Sequence, residues 1–140
     1  NGALTLRTSI VGPELYSNTS LLEWFLSRDH AVSGFTHAIF SGLTTLEISK
    51  IVHRIMCQAS DLSGLYHLSM DPVSKHDLLC IIRDAFNHNV TIHKDSTLVI
   101  DRSLDSKIFK ALIGYTSPNW NESINELSDF NSCYKEFYNV

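Results

Sequence analysis

Much that would announce a function is missing from this chain of 140 residues. Its six glycines never build G-x-G-x-x-G or the P-loop spacing, so no glycine-rich turn is present to cradle a phosphate. No tyrosine has a lysine four residues after it, which excludes a Tyr-x-x-x-Lys pair poised to deprotonate a hydroxyl. There is no H-E-x-x-H and no cysteine pair at finger spacing, so the seven histidines carry no metal motif. A G-x-S-x-G elbow is absent too, and a hydrolase has no signature here.

Other shortages bound the class of protein. The three cysteines, Cys57, Cys80 and Cys133, are odd in number and far apart, which argues against a disulfide framework. Cys57 and Cys80 fall inside helical patterns and read as buried free thiols. No apolar run approaches the roughly 18–20 residues of a membrane span. Eleven Lys and Arg against fifteen Asp and Glu leave a net charge of −4, with the signs interspersed, so no basic stripe suggests nucleic acid. The first residues, Asn-Gly-Ala, have neither a basic region nor a long apolar one, unlike a signal peptide, and they lack Met, which suggests a processed chain or a fragment. Sequons at Asn18, Asn89 and Asn121 are what a chain rich in Asn, Ser and Thr contains by chance. The expectation is a reduced, cytoplasmic protein with no membrane and no nucleic-acid partner.

What is present is a regular alternation. "ALTLRTSIVGPE" reads as a strand ending in two hydroxyls, Thr8 and Ser9, before a turn at Gly12-Pro13. In an open α/β sheet, ligands sit at such a carboxyl end. "SNTSLLEWFLSRD" places Leu21, Leu22, Phe25 and Leu26 on one helical face, with Ser20 or Thr19 as N-cap. "HAVSGFTHAIFSG" is strand or extended loop. "TTLEISKIVHRIMCQ" opens on a Thr44/Glu47 capping box and repeats Ile48, Ile51, Val52, Ile55 and Met56 as one buried stripe.

"SGLYHLS" is a short strand, with Leu65 and His67 on one side and Tyr66 and Leu68 on the other. "SKHDLLCIIRDAFNH" repeats the capping logic with Ser74 and Asp77, and buries Leu78, Ile81, Ile82 and Ala85. "VTIHKD" is a further short strand. "LDSKIFKALIG" is a helix capped by Asp105 or Ser106 and closed by Gly114. "SPNWNESINELSDF" begins another, with Ser117 as N-cap, Pro118 at the first turn and Trp120, Ile124 and Leu127 inward. "NSCYKEFYNV" has no clean period and reads as a loosely docked tail. His53 and His67 read as boundary or hydrogen-bonded core histidines rather than ligands. Strands alternating with helices predict an α/β fold with parallel pairing.

Taken in order, "LTLRTSIVGPE", "GFTHAIFSGLTTLEISKIV", "SGLYHLSMDPVSKHDLLCIIRDAF" and "DRSLDSKIFKALIGYTSPNWNESINEL" resemble the C-terminal half of extended short-chain dehydrogenases/reductases. The likeness is greatest to the branch of dTDP-4-dehydrorhamnose reductases and related sugar-nucleotide reductases and epimerases. It runs from about Leu4 to Leu127. The resemblance implies that residues 1–140 form a single domain: the C-terminal part of a Rossmann-like parallel sheet plus a small α+β substrate-binding lobe.

In that family the upstream half holds the glycine-rich cofactor turn and the Tyr/Lys catalytic pair, so this chain is expected to be inactive alone. It would bind a nucleotide-sugar substrate, and pair with the missing N-terminal half or self-associate. NAD or NADP would be the cofactor of the complete enzyme. By the match, Thr8, Ser9 and Ile10 line the cofactor, with Ile10 standing where such reductases commonly carry an aromatic. Phe35, Thr36, His37 and Phe40 belong to the segment that crosses the substrate cleft, and Arg102 stands where a basic residue meets the nucleotide phosphates. A guanidinium fork suits bidentate phosphate binding. The residues themselves leave other readings open: a strand-end turn at Thr8 and Ser9, core packing for Phe35 and Phe40, and an ion pair of Arg102 with Asp101 or Asp105. A non-catalytic binding module that keeps the fold is the alternative at the level of function.

Overall fold

The structure, a computed structural model, describes residues 2–14 and 19–138, without the side chains of 134–138. Two strands begin the chain, β1 (Leu4–Arg7) and β2 (Ile10–Val11), separated by Thr8 and Ser9. Helix α1 (Leu21–Leu26) follows, then β3 (Val32–Phe40), β4 (Leu43–Thr44) and α2 (Thr45–Gln58). Next come β5 (Gly64–His67), β6 (Val73–Ser74), α3 (Lys75–Ala85) and β7 (Ile92–Asp101). Helices α4 (Lys107–Ile113) and α5 (Trp120–Tyr138) complete the chain.

The expected parallel pairing is present. β1 runs parallel to β5, Leu4 opposite Gly64 and Arg7 opposite His67, and β2 runs parallel to β4. A parallel pair needs a crossover of a dozen or more residues, and α2 lies in the one between β1 and β5. These pairs are two separate two-stranded sheets, and a third sheet has the order β6-β3-β7, antiparallel on one side of β3 and parallel on the other. The fold is therefore α/β, two short parallel pairs beside a mixed lobe.

Local chemistry sets the helix starts. Ser20, Thr44 and Ser74 each accept a backbone N–H three residues on, from Glu23, Glu47 and Asp77. Each such cap contributes about 1 kcal/mol. Gly114 closes α4 with φ of 59°, the left-handed conformation that a Cβ disfavours. One core joins everything: Leu22 and Phe25 of α1, Ile51 of α2, Leu78 and Ile82 of α3, Phe109 of α4, and Ile124 and Leu127 of α5.

Several expectations are corrected. The α2 stripe is narrower than its apolar residues suggest: Ile51 and Ile55 are buried, Ile48 is half-buried, and Val52 and Met56 are 41% and 71% exposed. The buried sector is turned toward Glu47, which is also buried because its carboxylate has partners. Tyr115 Oη donates to it at 2.7 Å and Lys50 Nζ at 3.4 Å. Cys57 is exposed and Cys80 half-buried, so the two are not a pair of core thiols; both are free, as is Cys133. His53 lies on the exposed side of α2.

The strand read as "VTIHKD" continues to Asp101. An Asx turn, in which Asp95 Oδ1 accepts from the Thr97 N–H at 2.9 Å, absorbs the extra residues as a bulge, and pairing with β3 resumes at Val99. The cap of α5 is Asn119, not Ser117. Its Oδ1 accepts from Glu122 N–H at 2.9 Å, while Glu122 Oε2 accepts from Asn119 N–H at 3.0 Å. The supposed tail is helical through Tyr138, with Asn131 buried. At α4, one of the two expected caps is present: Asp105 Oδ1 accepts from Lys107 N–H, while Ser106 forms no side-chain cap.

Candidate functional site

The carboxyl ends of β1 and β3 meet at a junction built from backbone. After Arg7 the chain leaves the β5 pairing at Thr8 and Ser9, and the Ser9 carbonyl accepts from Leu43 N–H at 2.9 Å. Gly42 is wedged between. A Cβ there would lie 2.3 Å from Ser9 O and 2.4 Å from the Phe40 ring, so only glycine allows this approach. Phe40 in turn packs against Trp120, ring centroids 5.7 Å apart. Trp120 Nε1 donates to Asp71 O at 2.7 Å, which fixes the indole.

Ser41 ties this junction to two further segments. Its carbonyl accepts from Met70 N–H at 3.0 Å and its Oγ from Leu104 N–H at 2.8 Å. Ser69 Oγ donates to Leu104 O at 2.7 Å, and Ser106 Oγ to Ser69 O at 3.0 Å. The chain following β5 and the chain following β7 are thereby stitched together, with a crevice of about 280 Å³ between them, lined by Met70, Pro72 and Leu104 as well as by Asp71, Lys107 and Lys110. Arg102 enters this region through its backbone: its N–H donates to Ile39 O at 3.1 Å. The side chain is exposed, and among the described residues no carboxylate pairs with its guanidinium.

The two acids considered as its partners are otherwise engaged. Asp101 Oδ1 accepts from Ser103 N–H, and Asp105 Oδ1 from Lys107 N–H. Those backbone bonds hold both carboxyls below the usual Asp range.

The sequence-expected site residues thus fall into two groups. Thr8, Ser9, Ile10 and Phe40 gather at the strand-end junction, which the backbone of Arg102 also joins. Thr8 Oγ1 donates to Ser9 O at 3.2 Å, and Ile10 presents an apolar side chain that is 56% exposed. Phe35 lies five residues before Phe40 on β3, roughly 16 Å away at strand rise. It lines a separate cleft of about 290 Å³ with Trp24, Leu21, Leu79, Ser33 and Lys75. Thr36 Oγ1 donates to Asp95 O at 3.2 Å and lies 3.3 Å from His37 Nδ1, and His37 is exposed.

Some residues of this region escaped the sequence. Gly42 and Ser41 sit in "FSG", a stretch with no motif, and their roles come from approach distances alone. Trp24 was readable, since it follows Leu21 by three on the helix. Lys75 looks like any first-turn residue until α3 is set beside α1.

No protein-family model and no curated protein matches this sequence. Solved structures do. A dTDP-4-dehydrorhamnose reductase from Bacillus anthracis, in complex with NADP, is 18% identical, with a TM-score of 0.67 over 91% of this chain and 48% of that one. A dTDP-4-dehydrorhamnose reductase from Clostridium acetobutylicum is 13% identical, with a TM-score of 0.70 and the same coverages. The Bordetella bronchiseptica enzyme WbmG, in complex with NAD and UDP, is 15% identical, with a TM-score of 0.68 over 94% of this chain and 44% of that one. The chain therefore spans about half the length of the structures it matches. At these identities the likeness is one of fold: the resemblance to extended short-chain dehydrogenases/reductases holds at that level, and the fold is Rossmann-like.

Proposed function

We propose that this chain is the substrate-binding portion of an NAD(P)-dependent sugar-nucleotide reductase or epimerase, and that it does not turn over substrate alone. The observation that carries the reading is the junction at the carboxyl ends of β1 and β3, in a chain whose fold matches two reductases of that kind. Four residues expected from the sequence gather there, and the backbone of Arg102 joins them. The place is also where α/β sheets bind their ligands. A flat cofactor ring fits the residues present: Ile10 offers an exposed apolar side chain, with the hydroxyls of Thr8 and Ser9 beside it.

Thr8, Ser9 and Ile10 would hold the nicotinamide end of NAD or NADP, which when bound supplies hydride chemistry. Arg102, free of carboxylate partners among the described residues, would bind the diphosphate of a nucleotide sugar in bidentate fashion. Phe35 and Trp24 would take the flat part of that ligand, with Lys75 supplying a second cation. The proton donor is not among these residues, since no Tyr-x-x-x-Lys occurs in the sequence. It would belong to an upstream half that this chain pairs with.

Calorimetric titration with dTDP-glucose and with UDP-N-acetylglucosamine tests the reading. One of the two should bind, and Arg102→Ala should weaken that binding by about 1.5–3 kcal/mol, the worth of a charge-assisted hydrogen bond, with thermal stability unchanged. Absence of heat for both ligands at millimolar concentration would overturn it. Incubation with NADH or NADPH and 4-keto sugar nucleotides should leave the nicotinamide absorbance constant, and sustained enzyme-dependent loss would contradict the claim of inactivity.

A further inference from the structure

Helix α2 carries a pair of side chains that neither the fold nor the proposed site uses. His53 and Cys57 are one helical turn apart, both exposed, and Cys57 Sγ lies 3.8 Å from His53 Nε2. A tetrahedral zinc ion with ordinary Zn–N and Zn–S bonds needs its donor atoms about 3.6 Å apart. The pair stands within a small side-chain rotation of that spacing. Among the described residues no neighbouring element covers it. Lys50, the cation one turn before His53, is turned to Glu47 and Glu126, and Arg54 Nε donates to Gln58 Oε1. Neither blocks the approach of a positive ion.

We propose that His53 and Cys57 form a chelating site for a thiophilic divalent cation such as Zn²⁺ on the outer face of α2. An imidazole nitrogen with a thiolate selects borderline and soft metals over magnesium or calcium. Binding exchanges the thiol proton for the metal: the S–H bond breaks, the proton goes to buffer, and a metal–sulfur bond forms. Among the described residues no third His, Cys, Asp or Glu joins the pair, so two coordination positions remain for water or an incoming ligand. The site is independent of the nucleotide-sugar reading.

A second pair, His76 and Cys80, has almost the same spacing, with 3.9 Å from Nε2 to Sγ. It is not proposed as a site, because its setting is wrong. His76 is buried between α3 and β3 with Nδ1 2.9 Å from Asp77 Oδ1. Cys80 is half-buried, and burial pushes its thiol pKa up. A metal there would have to displace packing as well as a proton.

The test uses the full chain, reduced, in a Cys80→Ser/Cys133→Ser background so that Cys57 is the remaining thiol. Zn²⁺ is titrated in competition with a chromophoric chelator, and Co²⁺ is substituted to read a thiolate-to-metal charge-transfer band. The expected result is one ion per chain, the charge-transfer band present, and affinity lowered about tenfold or more by either His53→Ala or Cys57→Ser. Both substituted side chains are exposed, so circular dichroism should show an unchanged fold. No binding at about 100 µM free Zn²⁺, or binding indifferent to both substitutions, would overturn the proposal.

Discussion

Tyr115 shows what one hydrogen bond does in this chain. Its hydroxyl donates to the buried Glu47 carboxylate, linking the loop after α4 to the first turn of α2. Burial, then the bond to Glu47 and its charge, raise the phenol pKa well above the ordinary value. A raised acid pKa favours the fold below the unfolded value and withdraws that support above it. Stability should therefore fall as pH rises past about 10. In Tyr115→Phe this alkaline loss should shrink, while stability at neutral pH drops by about 1.5–3 kcal/mol, the worth of a bond to a charged group. Urea denaturation at pH 7 and pH 10.5 checks both, and an unchanged midpoint at pH 7 would show that Glu47 is held by Lys50 alone. Glu47 was legible only as a capping residue. That its carboxylate turns to Tyr115, 68 positions away, is a tertiary fact no local spacing contains.

At the scale of elements, the caps of α1, α2 and α3 were legible, because a hydroxyl three residues before an acid acts within one turn and needs no partner from elsewhere. Ser74→Ala should cost about 1 kcal/mol, measured by chemical denaturation; no loss would mean the α3 N-terminus finds another acceptor. What the sequence concealed were limits set by neighbours. Val52 and Met56 have the right period for a core face, yet periodicity does not say which flank of a stripe finds a partner. β7 was read short, since no local spacing shows that the Asx turn at Asp95 makes a bulge and lets the strand go on to Asp101.

β1 is open on one side among the described residues. Gly64 N–H donates to Ala3 O and Leu68 N–H to Arg7 O, so alternate residues of β1 face β5 and Leu4 and Leu6 turn their backbone groups to the open edge. Hydrogen exchange should find the amides of Leu4 and Leu6 much less protected than those of Thr5 and Arg7. Protection at Leu4 and Leu6 that grows with concentration would indicate self-association through this edge. Strong protection in a dilute monomer would contradict the open edge and, with it, the expectation of a missing neighbour.

For the whole molecule, alternation of strand and helix was enough to give the α/β class and the parallel pairing. The division of the expected site was not readable. Phe35 and Phe40 are close in sequence, but the extended strand carries Phe40 to the end of β3, roughly 16 Å from Phe35 near its middle. The two places differ in chemistry: an apolar aromatic cleft around Trp24 and Phe35, and a strand-end junction with hydroxyls, Ile10 and the backbone of Arg102. A nucleotide sugar bound as proposed has to touch both, its flat base in one and its diphosphate toward the other. Backbone and side-chain chemical shifts, followed as dTDP-glucose or UDP-N-acetylglucosamine is added to isotope-labelled protein, test this most directly. The account predicts saturable shifts at Trp24, Phe35 and Arg102 together, with Thr8 to Ile10 moving further when NADP or NAD is added. Shifts confined to other surfaces, or none at saturating ligand, would contradict it.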